Sequence, residues 1–70
     1  MKICEFTMPE IRFILAESNF TEDENILFLL RCDDVPLERC AELMNVSVST
    51  ANRLNKRIKE KIWRIKSGKI

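Results

Sequence analysis

The stretch LERCAELMNVSVSTANRLNKR, residues 37–57, decides the fold. Apolar side chains recur at helical spacing on both sides of the short segment 45–47, which predicts two helices joined by a tight turn. Asn45 is a residue type that tolerates the left-handed conformation at a helix end, and Ser47 is a good cap for the helix that follows. Two helices with so short a connection are typical of a helix-turn-helix.

Small and apolar residues occupy the positions where these two helices should meet. Ala41 is expected at the crossing, where a larger side chain would clash, and Val46 is expected as an apolar plug in the turn. The last helix should run from Ser47 to about Lys66. Its inner stripe is predicted to consist of Val48, Ala51, Leu54, Ile58, Ile62 and Ile65.

Two more helices are predicted upstream. Thr7-Met8-Pro9-Glu10 is a helix start, and that helix should end near Ser18. Phe20-Thr21-Glu22-Asp23-Glu24 contains a capping box and opens a second helix, which Asp33-Asp34-Val35-Pro36 ends. The apolar run 26–30 would also suit a buried strand, but the capping box and the lack of a partner strand favour a helix.

The predicted fold class is therefore all-α. We expect a single domain over residues 1–70, made of four helices with a long C-terminal recognition helix. An N-terminal extension helix should occupy residues 1–18, and the helix-turn-helix module residues 20–65. The first helix should pack on Ile58, Ile62 and Ile65, self-association being the alternative, and Trp63 is expected in the core, a dimer contact being the alternative.

Composition limits the function classes. The chain has 70 residues, of which 46% are hydrophobic and 33% charged, as in a small globular protein. No apolar run approaches the roughly 20 residues that span a bilayer, and the N-terminal residues do not resemble a signal peptide, so we expect a cytoplasmic protein. There is no histidine to act as a catalytic base or metal ligand.

Three cysteines complete the inventory of reactive groups. The spacing of Cys4, Cys32 and Cys40 matches no zinc motif, and a catalytic cysteine would lack its usual base. We therefore expect neither an enzyme nor a bound metal or cofactor. Cys32 and Cys40 are expected to be core thiols, with a sensor role as the alternative, and no specific role is expected for Cys4.

Charge is distributed unevenly along the chain. Residues 1–46 sum to −6, whereas residues 47–70 sum to +7 and contain Glu60 as their single acid. Such asymmetry suggests a surface for a polyanion, the alternative being a solvated charged helix. The outward face of the last helix should carry the donor side chains that read base edges and phosphates in a major groove. They are Ser49, Asn52, Arg53, Lys56 and Arg57. Four further lysines are expected to act on a polyanion through long-range attraction or not at all; they are Lys59, Lys61, Lys66 and Lys69.

The segments FTEDE (20–24), LERCAELM (37–44) and NVSVSTA (45–51), with the basic tail that follows them, resemble the region-four helix-turn-helix of bacterial sigma factors. They are also similar to the DNA-binding domain of LuxR-type response regulators. The resemblance implies that Ser49, Asn52, Arg53 and Lys56 face bases and that Arg57 faces phosphate. It further implies that Leu37, Glu38, Arg39 and Ser47 lie at the DNA backbone. The chain departs from the pattern at Asn45, where glycine is usual, and at Cys40, where isoleucine or valine is usual.

These observations lead to two hypotheses. The first is a sequence-specific regulator of transcription, bacterial or from a phage, that binds double-stranded DNA and that has RNA polymerase as a possible partner. A homodimer is expected, because one helix-turn-helix alone makes few phosphate contacts. The second hypothesis is a protein-interaction module of the same fold, such as an anti-sigma-like factor or a polymerase-binding adaptor. The position of the front-half acids relative to Arg53 and Lys56 discriminates between the two.

Overall fold

A computed structural model describes residues 5–67 of the chain, and side chains as far as Lys66. Cys4 and Lys69 lie outside the described residues. The described part contains four helices and no strand. They are α1 (Met8–Glu17), α2 (Glu22–Cys32), α3 (Leu37–Met44) and α4 (Val48–Ser67). The predicted all-α class is confirmed, and no helix in this part of the chain is long and apolar enough to cross a membrane.

Capping boxes fix the starts of α1 and α2, as predicted. The backbone N–H of Thr7 donates to Glu10 Oε1 at 2.9 Å, and the Glu10 N–H donates back to Thr7 Oγ1 at 3.4 Å. Thr21 and Glu24 repeat the arrangement at 2.9 and 3.3 Å. Each box satisfies backbone donors that the first turn of a helix leaves without a partner.

The turn between α3 and α4 has the predicted conformation. Asn45 adopts φ 59° and ψ 44°, in the left-handed region. The N–H of Val46 donates to the Ala41 carbonyl at 3.0 Å, and Ser47 Oγ accepts from the Thr50 N–H at 3.1 Å. The end of α3 and the start of α4 are therefore both capped locally, which fixes the direction in which α4 leaves the turn.

The core lies between α4 and the other three helices, each of which packs against α4. Its fully buried side chains are Ile14, Leu27, Phe28, Cys40, Ile58 and Ile62. Ala41 and Ala51 are also buried, as predicted for the helix crossing. Because Ile14 shares this cluster with Ile58 and Ile62, α1 packs on α4 as expected.

The structure corrects two sequence-based predictions about burial. Trp63, which is predicted in the core, is 67% exposed, because the neighbouring helices cover the Ile58–Ile62 side of α4 and leave the next position uncovered. Val48, which is predicted in the inner stripe, is exposed, because it is the first residue of α4 and burial begins one turn later at Ala51. Within the apolar run of α2, Leu27 and Phe28 are buried, whereas Ile26 and Leu29 are exposed.

Substitutions at Asn45 test how much the turn depends on its left-handed conformation. Asn45→Val should lower the free energy of unfolding by about 1 to 2 kcal/mol, because a β-branched side chain clashes with the backbone in this conformation. Asn45→Gly should cause little or no loss, since glycine adopts it freely. Urea unfolding followed by circular dichroism measures both. Equal losses in the two variants would contradict the conformational explanation.

Candidate nucleic-acid interface

The predicted DNA-binding residues of α4 lie together on its outward face. Ser49, Asn52, Arg53, Lys56 and Arg57 are all exposed. With about 100° of rotation per residue, Ser49, Arg53 and Lys56 fall within about 60° of one another, opposite the buried Ala51. Asn52 and Arg57 flank this group on either side. We name these five residues the groove face.

Cations without an acidic partner dominate this surface. Within α4, seven residues are basic and Glu60 is the single acid. Lys61 pairs with Glu24, and Lys66 approaches Glu10 at 3.9 Å. Among the described residues, the remaining five basic side chains of α4 make no ion pair; these are Arg53, Lys56, Arg57, Lys59 and Arg64. Their charges are therefore available to an external anion.

The start of α4 adds to the positive potential. The first turns of α1, α2 and α3 each contain an acid, whereas that of α4 contains none. The partial positive charge of a helix N-terminus is therefore not offset by a side chain here. Ser47, which caps α4, is exposed beside it.

The residues expected at a DNA backbone are not equally accessible. Arg39 is exposed and pairs with Glu42 at 3.1 Å on the same helix. Both side chains are more than 60% exposed, so water screens the pair and Arg39 can readily exchange Glu42 for another anion. Glu38 is exposed, whereas Leu37 is partly buried and packs against the core. Leu37 therefore contributes to packing, and Arg39 is the cation that α3 offers.

Among the described residues, the exposed acids of the front half make no ion pair with the central cations of the groove face. Glu22, Asp23, Asp33 and Asp34 are exposed, and in the part of the chain that the structure describes none of them pairs with Arg53 or Lys56. Arg57 is closer to acidic groups. It lines a shallow depression at the start of α2 together with Thr21, Glu24, Glu60, Lys61 and Arg64. Of the groove face, Arg57 is thus the residue nearest to α2.

Lys61 makes a structural contact that sequence reasoning missed. Its ammonium group lies 2.5 Å from Glu24 Oε1, donates to the Asn19 carbonyl at 3.0 Å and sits 5.8 Å from the centre of the Phe20 ring. Glu24 is buried. Burial alone would raise the pKa of its carboxyl group, but hydrogen bonds from Lys61 and Thr21 outweigh burial and hold the pKa below its usual value. Lys61 therefore joins α4 to the start of α2.

Lys66 has a similar role at the other end of the core. Besides approaching Glu10, its ammonium group lies 4.7 Å from the centre of the Phe6 ring. These contacts connect the last turns of α4 to α1. The sequence analysis expects no such contacts for Lys61 and Lys66. It misses them because the partner residues, which lie in or near α1 and α2, are distant from both lysines in sequence.

Cys40 is part of the hydrophobic core. Cys40 is buried, and its thiol donates to the Val35 carbonyl at 3.6 Å. Burial raises the pKa of this thiol above its ordinary value, even with Arg31 nearby, so Cys40 is a core thiol as expected. Over the residues that the structure describes, no three cysteine or carboxylate side chains form a group that could hold a metal ion.

Comparison with known proteins assigns no family to the chain. No protein-family model, no curated protein and no solved structure matches it.

Lys61→Met tests whether the ion pair supports the fold that presents the groove face. The free energy of unfolding should fall by about 2 to 3 kcal/mol, because the buried carboxylate of Glu24 would be left without its cation. The expected loss is below that for a fully buried pair, since the Lys61 side chain is 31% exposed. Lys59→Met is the control, because Lys59 also lies in α4 but makes no ion pair among the described residues. It should change the free energy of unfolding little.

The loss in the free energy of unfolding that Lys61→Met causes should depend on pH. Because the folded-state pKa of Glu24 is lowered, the stability that the pair supplies is present above about pH 4.5 and declines as the pH falls through the folded-state pKa. The difference in the free energy of unfolding between the unmodified chain and Lys61→Met should therefore be largest near neutral pH and become smaller in acid. Urea unfolding at several pH values measures it. A difference that is independent of pH would contradict the ion-pair explanation.

Proposed function

We propose that this chain is a sequence-specific, double-stranded DNA-binding regulator of transcription that inserts the first half of α4 into the major groove. The observation that carries the proposal is the groove face itself. It presents Arg53, Lys56 and Arg57, which have no ion-pair partner among the described residues, and no acid occurs in α4 before Glu60.

The dimensions of α4 suit this mode of binding. A major groove is about 12 Å wide and admits an α-helix. The ten residues Val48–Arg57 extend about 15 Å along the helix axis, which is enough to place base-reading side chains in the groove. Arg53 has the fork geometry that reads guanine, and Asn52 has the amide that reads adenine. Lys56 reads bases alongside them, whereas Arg57 neutralises phosphate.

Residues at the front of the helix-turn-helix complete the proposed interface. Ser47 and Arg39 contact the DNA backbone, and the uncompensated N-terminus of α4 favours a phosphate in the same region. In this arrangement α3 lies across the backbone while α4 enters the groove, which is how helix-turn-helix proteins dock. Arg39 exchanges its exposed contact with Glu42 for a phosphate.

The resemblance of residues 20–65 to the region-four domain of sigma factors and to LuxR-type domains supports the same proposal. The helix bounds and the turn at Asn45 agree with a helix-turn-helix. On this basis we place the protein in the cytoplasm of a bacterium or of a phage-infected cell. Promoter occupancy then represses transcription or recruits RNA polymerase.

A protein-interaction module of the same fold is the second candidate. Exposed Ile26 and Leu29 on the acidic helix α2 favour it, since exposed apolar side chains mark protein contacts when they cluster. Such an anti-sigma-like factor or polymerase-binding adaptor would not bind DNA. Titration with DNA therefore separates the two candidates.

The double variant Arg53→Ala/Lys56→Ala tests the groove face. Fluorescence anisotropy with random-sequence duplex DNA should show salt-dependent binding of the unmodified chain. In the variant the affinity should fall at least tenfold, and the salt slope should decrease by roughly 0.9 for each phosphate that is no longer neutralised. On a selected site, Arg53→Ala alone should cost about 1 to 3 kcal/mol and relax specificity.

Arg12→Ala/Arg64→Ala is the matched control, because it removes the same charge from exposed side chains that lie outside the groove face and make no ion pair among the described residues. Its affinity should fall only slightly, through the weaker long-range attraction. Equal losses in the two double variants would contradict the assignment of Arg53 and Lys56. Absence of binding at low salt, in a chain that circular dichroism shows to be folded, would favour the protein-interaction module.

A further inference from the structure

A second surface lies on the C-terminal half of α4, outside the groove face except for Lys56. Its centre is Trp63, the only tryptophan of the chain, which is 67% exposed. It lines a shallow depression with Lys56, Lys59, Glu60 and Arg64. We name these five residues the Trp63 patch. It combines a large apolar side chain with three cations and one acid.

The proposed contact with DNA would not cover Trp63. Trp63 follows Arg53 by ten residues, which is about 15 Å along the helix axis. The segment proposed to enter the groove, Val48–Arg57, ends about 9 Å along the axis before Trp63, so Trp63 lies outside that segment. An indole buries on the order of 150–250 Å² when it is covered, and tryptophan is enriched among the residues that dominate protein interfaces. The patch thus has the composition of a protein contact.

The chain itself carries a complementary surface on α2. Glu22, Ile26, Leu29 and Asp33 follow one another at spacings of 4, 3 and 4 residues, so they lie along one face of the helix. All four are exposed, Ile26 by 43% and Leu29 by 45%. We name this face the α2 stripe. Two apolar side chains are flanked there by carboxylates, which is the inverse of the charge pattern around Trp63.

We infer that the Trp63 patch of one copy of this chain binds the α2 stripe of a second copy. The indole packs between Ile26 and Leu29, and Lys59 and Arg64 beside it face Glu22 and Asp33. Two Trp63 patches facing each other would bring six cations together against two acids, so charge disfavours that symmetric alternative. The contact is small, and its affinity accordingly falls in the micromolar range or weaker. Each copy carries both surfaces, so one pair of copies can make the contact twice.

This association needs no DNA, so it can be tested separately from the proposed function. Sedimentation velocity over a concentration series should show the mass rising from 8.3 kDa toward twice that value, and high salt should reverse the rise. The emission of the only tryptophan should shift to shorter wavelength over the same range, because its indole leaves water. A chain of monomeric mass at every concentration would overturn the inference.

Two substitutions and one control locate the contact. Trp63→Ala and Leu29→Ser replace exposed side chains, so the fold should persist while association is abolished. Leu43→Ser replaces another exposed leucine, on α3 and outside both surfaces, and association should be retained. Association that survives Trp63→Ala or Leu29→Ser would overturn the inference. DNA titration of Trp63→Ala reports separately on the groove face.

A charge exchange tests the pairing of the two surfaces. Glu22→Lys/Asp33→Lys makes the α2 stripe basic, and Lys59→Glu/Arg64→Glu makes the Trp63 patch acidic. Each double variant alone should remain monomeric, because its two surfaces then carry the same sign of charge. An equimolar mixture should associate again, since each surface meets its complement on the other variant. A mixture that stays monomeric, with both variants folded by circular dichroism, would overturn the inference.

Discussion

The buried carboxylate of Glu24 is the constraint on which the arrangement of the helices depends. One oxygen of this group accepts from the backbone of Thr21, which caps α2, and also from the ammonium of Lys61. Lys61 in turn binds the Asn19 carbonyl between α1 and α2. A buried charge is costly unless it is paired and hydrogen-bonded, so a register of α2 on α4 that left Glu24 without Lys61 would be strongly destabilised.

That register determines which face of α4 meets water. With Ile58 and Ile62 in the core and Lys61 turned toward α2, Arg53 and Lys56 lie on the opposite side of the helix. The same pair engages the Glu24 carboxylate, which is therefore not free to neutralise the exposed cations. The ion pair thereby turns Lys61 toward α2 and leaves Arg53 and Lys56 exposed without an ion-pair partner among the described residues.

Features set by neighbours in sequence were predictable. The capping boxes, the left-handed Asn45 and the inward Ala51 each depend on residues within one or two turns, where spacing alone decides the interaction. Features set by contacts between residues far apart in sequence were not predictable. Lys61 and Glu24 are 37 residues apart, and no pattern in either helix connects them. The exposure of Trp63 depends on which face of α4 its neighbours leave uncovered, since periodicity gives the direction of a side chain but not what covers it.

The length of α4 explains how one helix can serve several purposes. At 20 residues it extends about 30 Å, roughly twice what a major groove requires. Its second half supplies Ile58 and Ile62 to the core and uses Lys61 and Lys66 to hold α2 and α1. The cations of this helix therefore do not all serve binding. Lys61 and Lys66 contact the other helices, whereas Arg53, Lys56 and Arg57 in the first half form the cations of the groove face. A count of basic residues overstates the electrostatic attraction to DNA, and the outward cations of the groove face are the better measure of it.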